Sequence, residues 1–119
     1  MKPVEWMART KEDLLAFPRA VVHHIGRALT VAQFGGKHPA AKPLKGFGGA
    51  SVLEIIEHFD GNTYRAVYTV QFAGVVYVLH AFQKKAKRKI ATPKPEIDLI
   101  KARLKDARQH YKTHYASER

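Results

Sequence analysis

The feature that most constrains this chain is its middle third. Three strand-like runs, 51–59, 63–72 and 75–82, follow one another with only Asp60-Gly61-Asn62 and Ala73-Gly74 between them. Connections this short join antiparallel neighbours, because a parallel return needs a dozen or more residues. The runs therefore predict antiparallel strands paired in chain order. A short extended piece, Pro3-Val4-Glu5-Trp6, can add a fourth strand.

Helical patterns flank these strands. Thr10 reads as an N-cap with Glu12 and Asp13 behind it, opening a brief helix to about Phe17. Pro18 suits the first turn of a second helix, where Val21, Val22, Ile25, Ala28, Leu29 and Ala32 recur at helical spacing until Gly35-Gly36 ends it. His23, His24 and Arg27 fall near the opposite side and read as exposed polar residues. Two adjacent histidines on a helix point about 100° apart and make a poor metal pair. After Pro93 and Pro95, Ile97, Ile100, Leu104, Ala107, Tyr111 and Tyr115 form the stripe of a last helix, with Lys101, Arg103, Lys105, Arg108 and Lys112 on its other faces. Residues 35–49, GGKHPAAKPLKGFGG, are loop by composition, and a loop of this length inside a compact domain is often functional. The expected class is α+β in one domain, residues 1–119: two N-terminal helices, an antiparallel sheet of three to four strands, and a C-terminal helix.

Composition narrows the function. The chain has 119 residues, enough for one core, and its 45% hydrophobic content is ordinary for a globular protein. No apolar run approaches the roughly 20 residues that span a bilayer, and the N-terminus is charged where a signal peptide is apolar, so a soluble, cytoplasmic protein is expected. Without cysteine, thiol nucleophiles, disulfides and Cys-based zinc sites are excluded. Lys and Arg number 21 against 10 Asp and Glu, a formal net charge of +11. Such an excess gathers anions, of which nucleic acid is the common case and an acidic protein or anionic membrane the rivals. Lys84, Lys85, Lys87, Arg88 and Lys89 fall within six positions, and Lys37, Lys42 and Lys45 lie in the long loop. These are candidate RNA contacts or, equally, a solvated surface.

Motifs for phosphate loops, metal-binding histidine pairs and serine nucleophiles are missing. What remains is chemistry with no metal and no cofactor. RNA permits it, because its own 2′-hydroxyl can attack the adjacent phosphorus. The protein then orients the backbone, stabilises phosphoryl charge and moves two protons. Alternation along 63–72 puts Arg65, Val67, Thr69 and Gln71 on one face and Tyr64, Ala66, Tyr68, Val70 and Phe72 on the other. An arginine on so apolar a strand needs an anionic partner or solvent. Arg65 is thus either paired with Glu54 or Glu57, or open to a phosphate. His58 and His80 are the nearby groups that titrate around neutrality.

At this hairpin the sequence resembles a known family. Tyr64-Arg65-Ala66-Val67-Tyr68, Val75-Val76-Tyr77-Val78-Leu79-His80, Ala81-Phe82-Gln83-Lys84-Lys85 and Ala91-Thr92-Pro93 are similar to the RelE/ParE toxin superfamily, in its phage-derived, HigB-like branch. Ala32-Gln33, Gly35-Gly36-Lys37 and Lys42-Pro43-Leu44 extend the resemblance over nearly the whole chain. It implies the toxin of a type II toxin–antitoxin pair, a monomer when free, held by a helix-turn-helix antitoxin. RelE- and HigB-like members cut mRNA on the ribosome without metal; ParE-like members poison gyrase instead, and a plain nucleic-acid-binding module is a third reading. The resemblance carries phosphate-contacting roles onto Arg65 and Lys85, with Lys84 adjacent, and leaves His58, His80 or Lys84 to handle protons. Two lysines of RelE-like enzymes are replaced here by Ile56 and His58, and a catalytic tyrosine has no counterpart, Ala91 standing near its position.

Overall fold

The computed structural model describes residues 1–84 and 91–115. Its elements are strand β1 (Val4–Trp6), helices α1 (Thr10–Leu15) and α2 (Arg19–Gln33), strands β2 (Ala41–Pro43), β3 (Val52–Phe59), β4 (Asn62–Thr69) and β5 (Val76–Lys84), and helix α3 (Lys94–His114). The strands form one sheet in the order β1-β5-β4-β3-β2. The expected α+β architecture holds, with three antiparallel strands at its centre. The sheet is nonetheless mixed and five-stranded. β1 joins as the additional strand but runs parallel to β5, and β2, a three-residue edge strand inside the expected loop, pairs antiparallel with Leu53–Ile55 of β3. Pro43 is tolerated there because an edge strand has one side without ladder bonds.

Three local expectations are corrected. The N-cap of α1 is Arg9; Thr10 lies buried inside the helix. Pro18 is extended and precedes α2 as its cap. β4 ends at Thr69, so Gln71 and Phe72 leave its alternation, and Phe72 packs on the α3 side instead of beside Tyr64. The first hairpin is tight: Phe59 pairs with Asn62, and Asp60 and Gly61 both have positive φ, 52° and 80°. That is the twist-matched two-residue turn, and glycine meets its second position without strain.

The sheet separates two apolar layers. On one face Leu53, Ile55, Tyr64, Ala66, Tyr68, Val76 and Val78 pack with Leu14 of α1 and Val21, Ile25, Ala28, Leu29 and Ala32 of α2. On the other, Val52, Val67, Tyr77 and Leu79 pack with Ile100 and Ala107 of α3. Burying Tyr68 in the first layer pushes its phenol up to about 12. One irregularity matters for the site. Between Val67 and Tyr68 the partners on β5 jump from His80 to Val78, leaving Leu79 as the extra residue of a bulge. Leu79 and His80 therefore both meet the α3 side.

Candidate functional site

The sheet register sets rows of side chains across the α3 face. His58, Thr63 and Lys84 form one row; Ile56, Arg65 and Phe82 the next; Glu54, Val67 and His80 the third, with Lys42 of β2 opposite Glu54. Residues paired in a sheet share a face, and successive rows lie about 7 Å apart, two residues along a strand. At the β2–β3 side of these rows a cleft of about 600 Å³ opens. Its floor is Glu54, Ile56 and His58 of β3 with Arg65 of β4. One wall is Ala40, Lys42, Pro43, Leu44 and Lys45, and the other is Ala91 and Thr92 before α3 with Ile97 in its first turn.

Arg65 is held firmly at this floor. It is 1% exposed, and its Nη1 donates to Glu54 Oε2 at 3.1 Å and to Thr92 Oγ1 at 3.0 Å. The Thr92 hydroxyl in turn donates to the same Glu54 oxygen. Of the partners open to Arg65 on sequence grounds, Glu54 is the one taken. Glu57 points to the opposite face, 3.0 Å from His24 Nε2. A buried guanidinium needs such a carboxylate, since removing either charge strands the other in a low-dielectric interior. The cluster also ties Thr92 to the sheet. His58 stands at the cleft's exposed end with Nδ1 3.1 Å from Thr63 Oγ1.

His80 occupies a different setting. It is 7% exposed and sits under α3, with Nε2 2.6 Å from Glu96 Oε1 and Nδ1 3.1 Å from Arg103 Nη1. Arg103, expected on an outer face of the helix, reaches inward and also donates to the Leu79 carbonyl at 3.0 Å. An arginine can only donate, so Nδ1 accepts, and Nε2 carries the proton given to Glu96. Burial pushes the ring below its ordinary pKa; Glu96 opposes that shift, and Arg103 adds to it. His80 does not line the cleft.

The residues singled out from the sequence thus divide. Arg65, His58, Lys42 and Lys45 meet at one cleft. Lys84 closes the His58 row at the end of β5 but is not among the lining residues, and Lys37 is exposed after α2, away from it. Lys85, Lys87, Arg88 and Lys89 lie outside the described residues. Sequence reasoning missed Thr92 as a site residue and the apolar wall of Pro43, Leu44 and Ile97. The available signal was the position of Thr92 between the basic run and Pro93, where a hydroxyl is close to both loop and helix.

Residues 12–105 match the model of the family described as phage-derived protein Gp49-like (DUF891). No curated protein sequence matches the chain. Among solved structures, the isolated RelE toxin of E. coli superposes with a TM-score of 0.54 at 20% identity, over 86% of this chain and 98% of that one. The RelBE2 toxin–antitoxin complex of Mycobacterium tuberculosis gives 0.44 at 17% identity, over 71% of this chain and 92% of the other. The first likeness is one of fold: N-terminal helices, a sheet and a closing helix arranged as in RelE. The chain belongs to the phage-derived Gp49-like family and carries the fold seen in RelE.

Proposed function

We propose that this protein is the toxin of a type II toxin–antitoxin pair and cleaves mRNA on the ribosome, without a metal, using the RNA 2′-hydroxyl as nucleophile. The observation that carries this reading is the convergence of Arg65, His58, Lys42 and Lys45 on one cleft of a chain with net charge +11. Phosphate chemistry of this kind asks for positioned cations around the phosphoryl oxygens and one titratable group near neutrality.

In the proposed reaction the 2′-oxygen bonds to phosphorus as the bond to the 5′-oxygen breaks, leaving a 2′,3′-cyclic phosphate and a free 5′-hydroxyl. His58, at the exposed end of the cleft, accepts the 2′-hydroxyl proton or returns one to the leaving oxygen. Lys42 and Lys45 hold the flanking phosphates. Arg65 acts from the floor, where its ion pair with Glu54 fixes the guanidinium before substrate arrives. Lys84, at the end of β5, adds a further cation, and Lys85 takes its phosphate-contacting role from the family resemblance. His80, sealed between β5 and α3, has no proton-transfer role in this scheme. A growth inhibitor of this sort is held by an antitoxin, here a small helix-turn-helix protein encoded alongside, with acidic residues facing the cleft.

Primer extension on cellular mRNA after induced expression tests the activity. Cuts at defined codon positions are expected. Intact mRNA beside damaged chromosomal DNA would replace the nuclease reading with gyrase poisoning. Co-expression with the adjacent gene tests the pairing: restored growth and a co-purifying complex are expected, and neither appearing would dissolve it.

A further inference from the structure

The cleft is more apolar than phosphate binding requires. Beside Lys42 and Lys45 stand Pro43, Leu44, Ile56 and Ile97, and the space between the walls is about 600 Å³. That volume falls in the range of sites that enclose a small ligand, where apolar walls supply contact area and one or two polar groups fix orientation. A bare phosphate uses none of this wall. A nucleobase does, because it presents two flat apolar faces and a polar edge.

The polar group at the floor is Glu54. Its side chain is nine-tenths buried and lines the cleft, yet both of its hydrogen bonds, from Arg65 and from Thr92, arrive at Oε2. Among the described residues no hydrogen bond reaches Oε1. A carboxylate oxygen only accepts, so at a base edge it selects a donor, and the exocyclic amino group of cytosine is such a partner. The 4-carbonyl of uracil at the same place meets oxygen with oxygen.

We infer that the cleft is a nucleobase subsite in which Pro43, Leu44, Ile56 and Ile97 enclose one base and Glu54 Oε1 accepts from its exocyclic amino group, favouring cytosine over uracil. The inference rests on the reading of this cleft as the RNA site. It adds sequence preference to that reading. Arg65 and Thr92 become positioning residues for Glu54, since the bonds they make to Oε2 turn the other oxygen to the ligand.

Titration calorimetry on the free protein, with 5′-CMP, 5′-UMP and ribose 5-phosphate as probes, tests this without ribosomes. CMP should bind about tenfold more tightly than ribose 5-phosphate, the gain of burying roughly 55 Å² of base face against aliphatic walls at about 25 cal/mol per Å², and more tightly than UMP. Ile97→Ser, at a half-buried position, should erase the advantage of CMP over ribose 5-phosphate, while Lys45→Ala should weaken all three probes alike. Glu54→Gln is the sharpest arm. Its amide oxygen is needed by Arg65 and Thr92, which turns the NH₂ into the cleft and should reverse the preference toward UMP. A role for Glu54 confined to stability would not reverse it. Equal affinity for the three probes overturns the subsite, and a CMP preference unchanged in Glu54→Gln overturns the assignment of its acceptor. Nucleotide selectivity in a protein that leaves cellular mRNA intact would retain the subsite and remove the nuclease reading; cleavage without selectivity would do the reverse.

Discussion

Two buried ionic clusters sit on the same face of the same sheet, separated by one residue. Glu54, Val67 and His80 lie in a single row across β3, β4 and β5. On one side of Val67, Glu54 joins Arg65 and Thr92; on the other, His80 joins Glu96 and Arg103. Each combines an arginine, a carboxylate and a third polar group, but Arg65 meets Glu54 directly, whereas His80 stands between Arg103 and Glu96. They differ in what covers them. α3 packs over the His80 cluster, whereas the Arg65 cluster forms the floor of an open cleft. Similar chemistry thus serves attachment of a helix where it is covered, and floors an open cleft where it is not.

The largest effect should come from breaking the cleft's cluster. Arg65→Ala leaves Glu54 buried without its cation and should cost about 3–5 kcal/mol of stability, read from a urea melt. The double replacement Arg65→Met with Glu54→Leu should recover most of this, because no uncompensated charge is left inside. A single mutant melting like wild type would mean that water already solvates the pair. The stability role and the proposed catalytic one therefore overlap at Arg65, and cleavage by an Arg65→Ala protein is informative only beside its melt.

His58 offers the cleaner test of chemistry. It is exposed and contacts Thr63, so His58→Ala should leave the melt unchanged while lowering mRNA cleavage in a reconstituted translation reaction about 100-fold, the lower range for a general acid or base. His80→Ala should give the opposite pair of results, a lower melting temperature with cleavage retained by the folded fraction. Were both histidines to affect only cleavage, the division between open and sealed clusters would fail.

A smaller effect concerns pH. His80 has a folded-state pKa below its unfolded value near 6.5, chiefly through burial, with Arg103 in the same direction and Glu96 and Asp13 opposing. The folded state then binds fewer protons than the unfolded one. Its contribution is fully present above about pH 6.5 and is lost as pH falls from there through the folded pKa, by at most about 1.4 kcal/mol per pH unit. Melts of wild type and His80→Gln between pH 7.5 and pH 5 should converge on acidification. Parallel curves would mean that folding leaves the affinity of the ring for its proton unchanged, and curves that diverge on acidification would mean that the ring is charged in the folded protein, with Glu96 prevailing over burial.

How much of this was legible in the sequence follows the range of the forces involved. Alternation on β4 placed Arg65, Val67 and Thr69 together, and the need of a buried arginine for an anion pointed to Glu54 as one of two partners. Both are local rules. The choice between Glu54 and Glu57 was open because strand register, which turns one carboxylate to each face, depends on pairing with β4. β2 was hidden by its brevity and its proline, and the parallel placement of β1 is a long-range pairing that its few residues do not announce. The bulge at Leu79 breaks the alternation that would otherwise place His80, so its position under α3 was not readable. Thr92 entered only as part of a motif, since its bonds cross from the approach to α3 back to β3 and β4.

The finest distinction between the two regions is electrostatic. Lys42 lines the open cleft, and Lys105 is exposed on α3, the helix that covers the sealed cluster. Both add the same charge to a chain of +11, so a partner attracted by net charge alone would notice either loss equally. A strand seated in the cleft would not. Each phosphate neutralised on a single strand contributes about −0.7 to the slope of log affinity against log salt. Lys42→Ala should therefore make that slope shallower by about 0.7 for a short single-stranded RNA, whereas Lys105→Ala should leave it unchanged within the error of a fluorescence-anisotropy titration. Equal changes at the two sites would show that RNA follows the diffuse field and not the cleft. A change at Lys105 alone would move the binding surface onto α3, reversing the roles assigned to the open and the covered side of Val67.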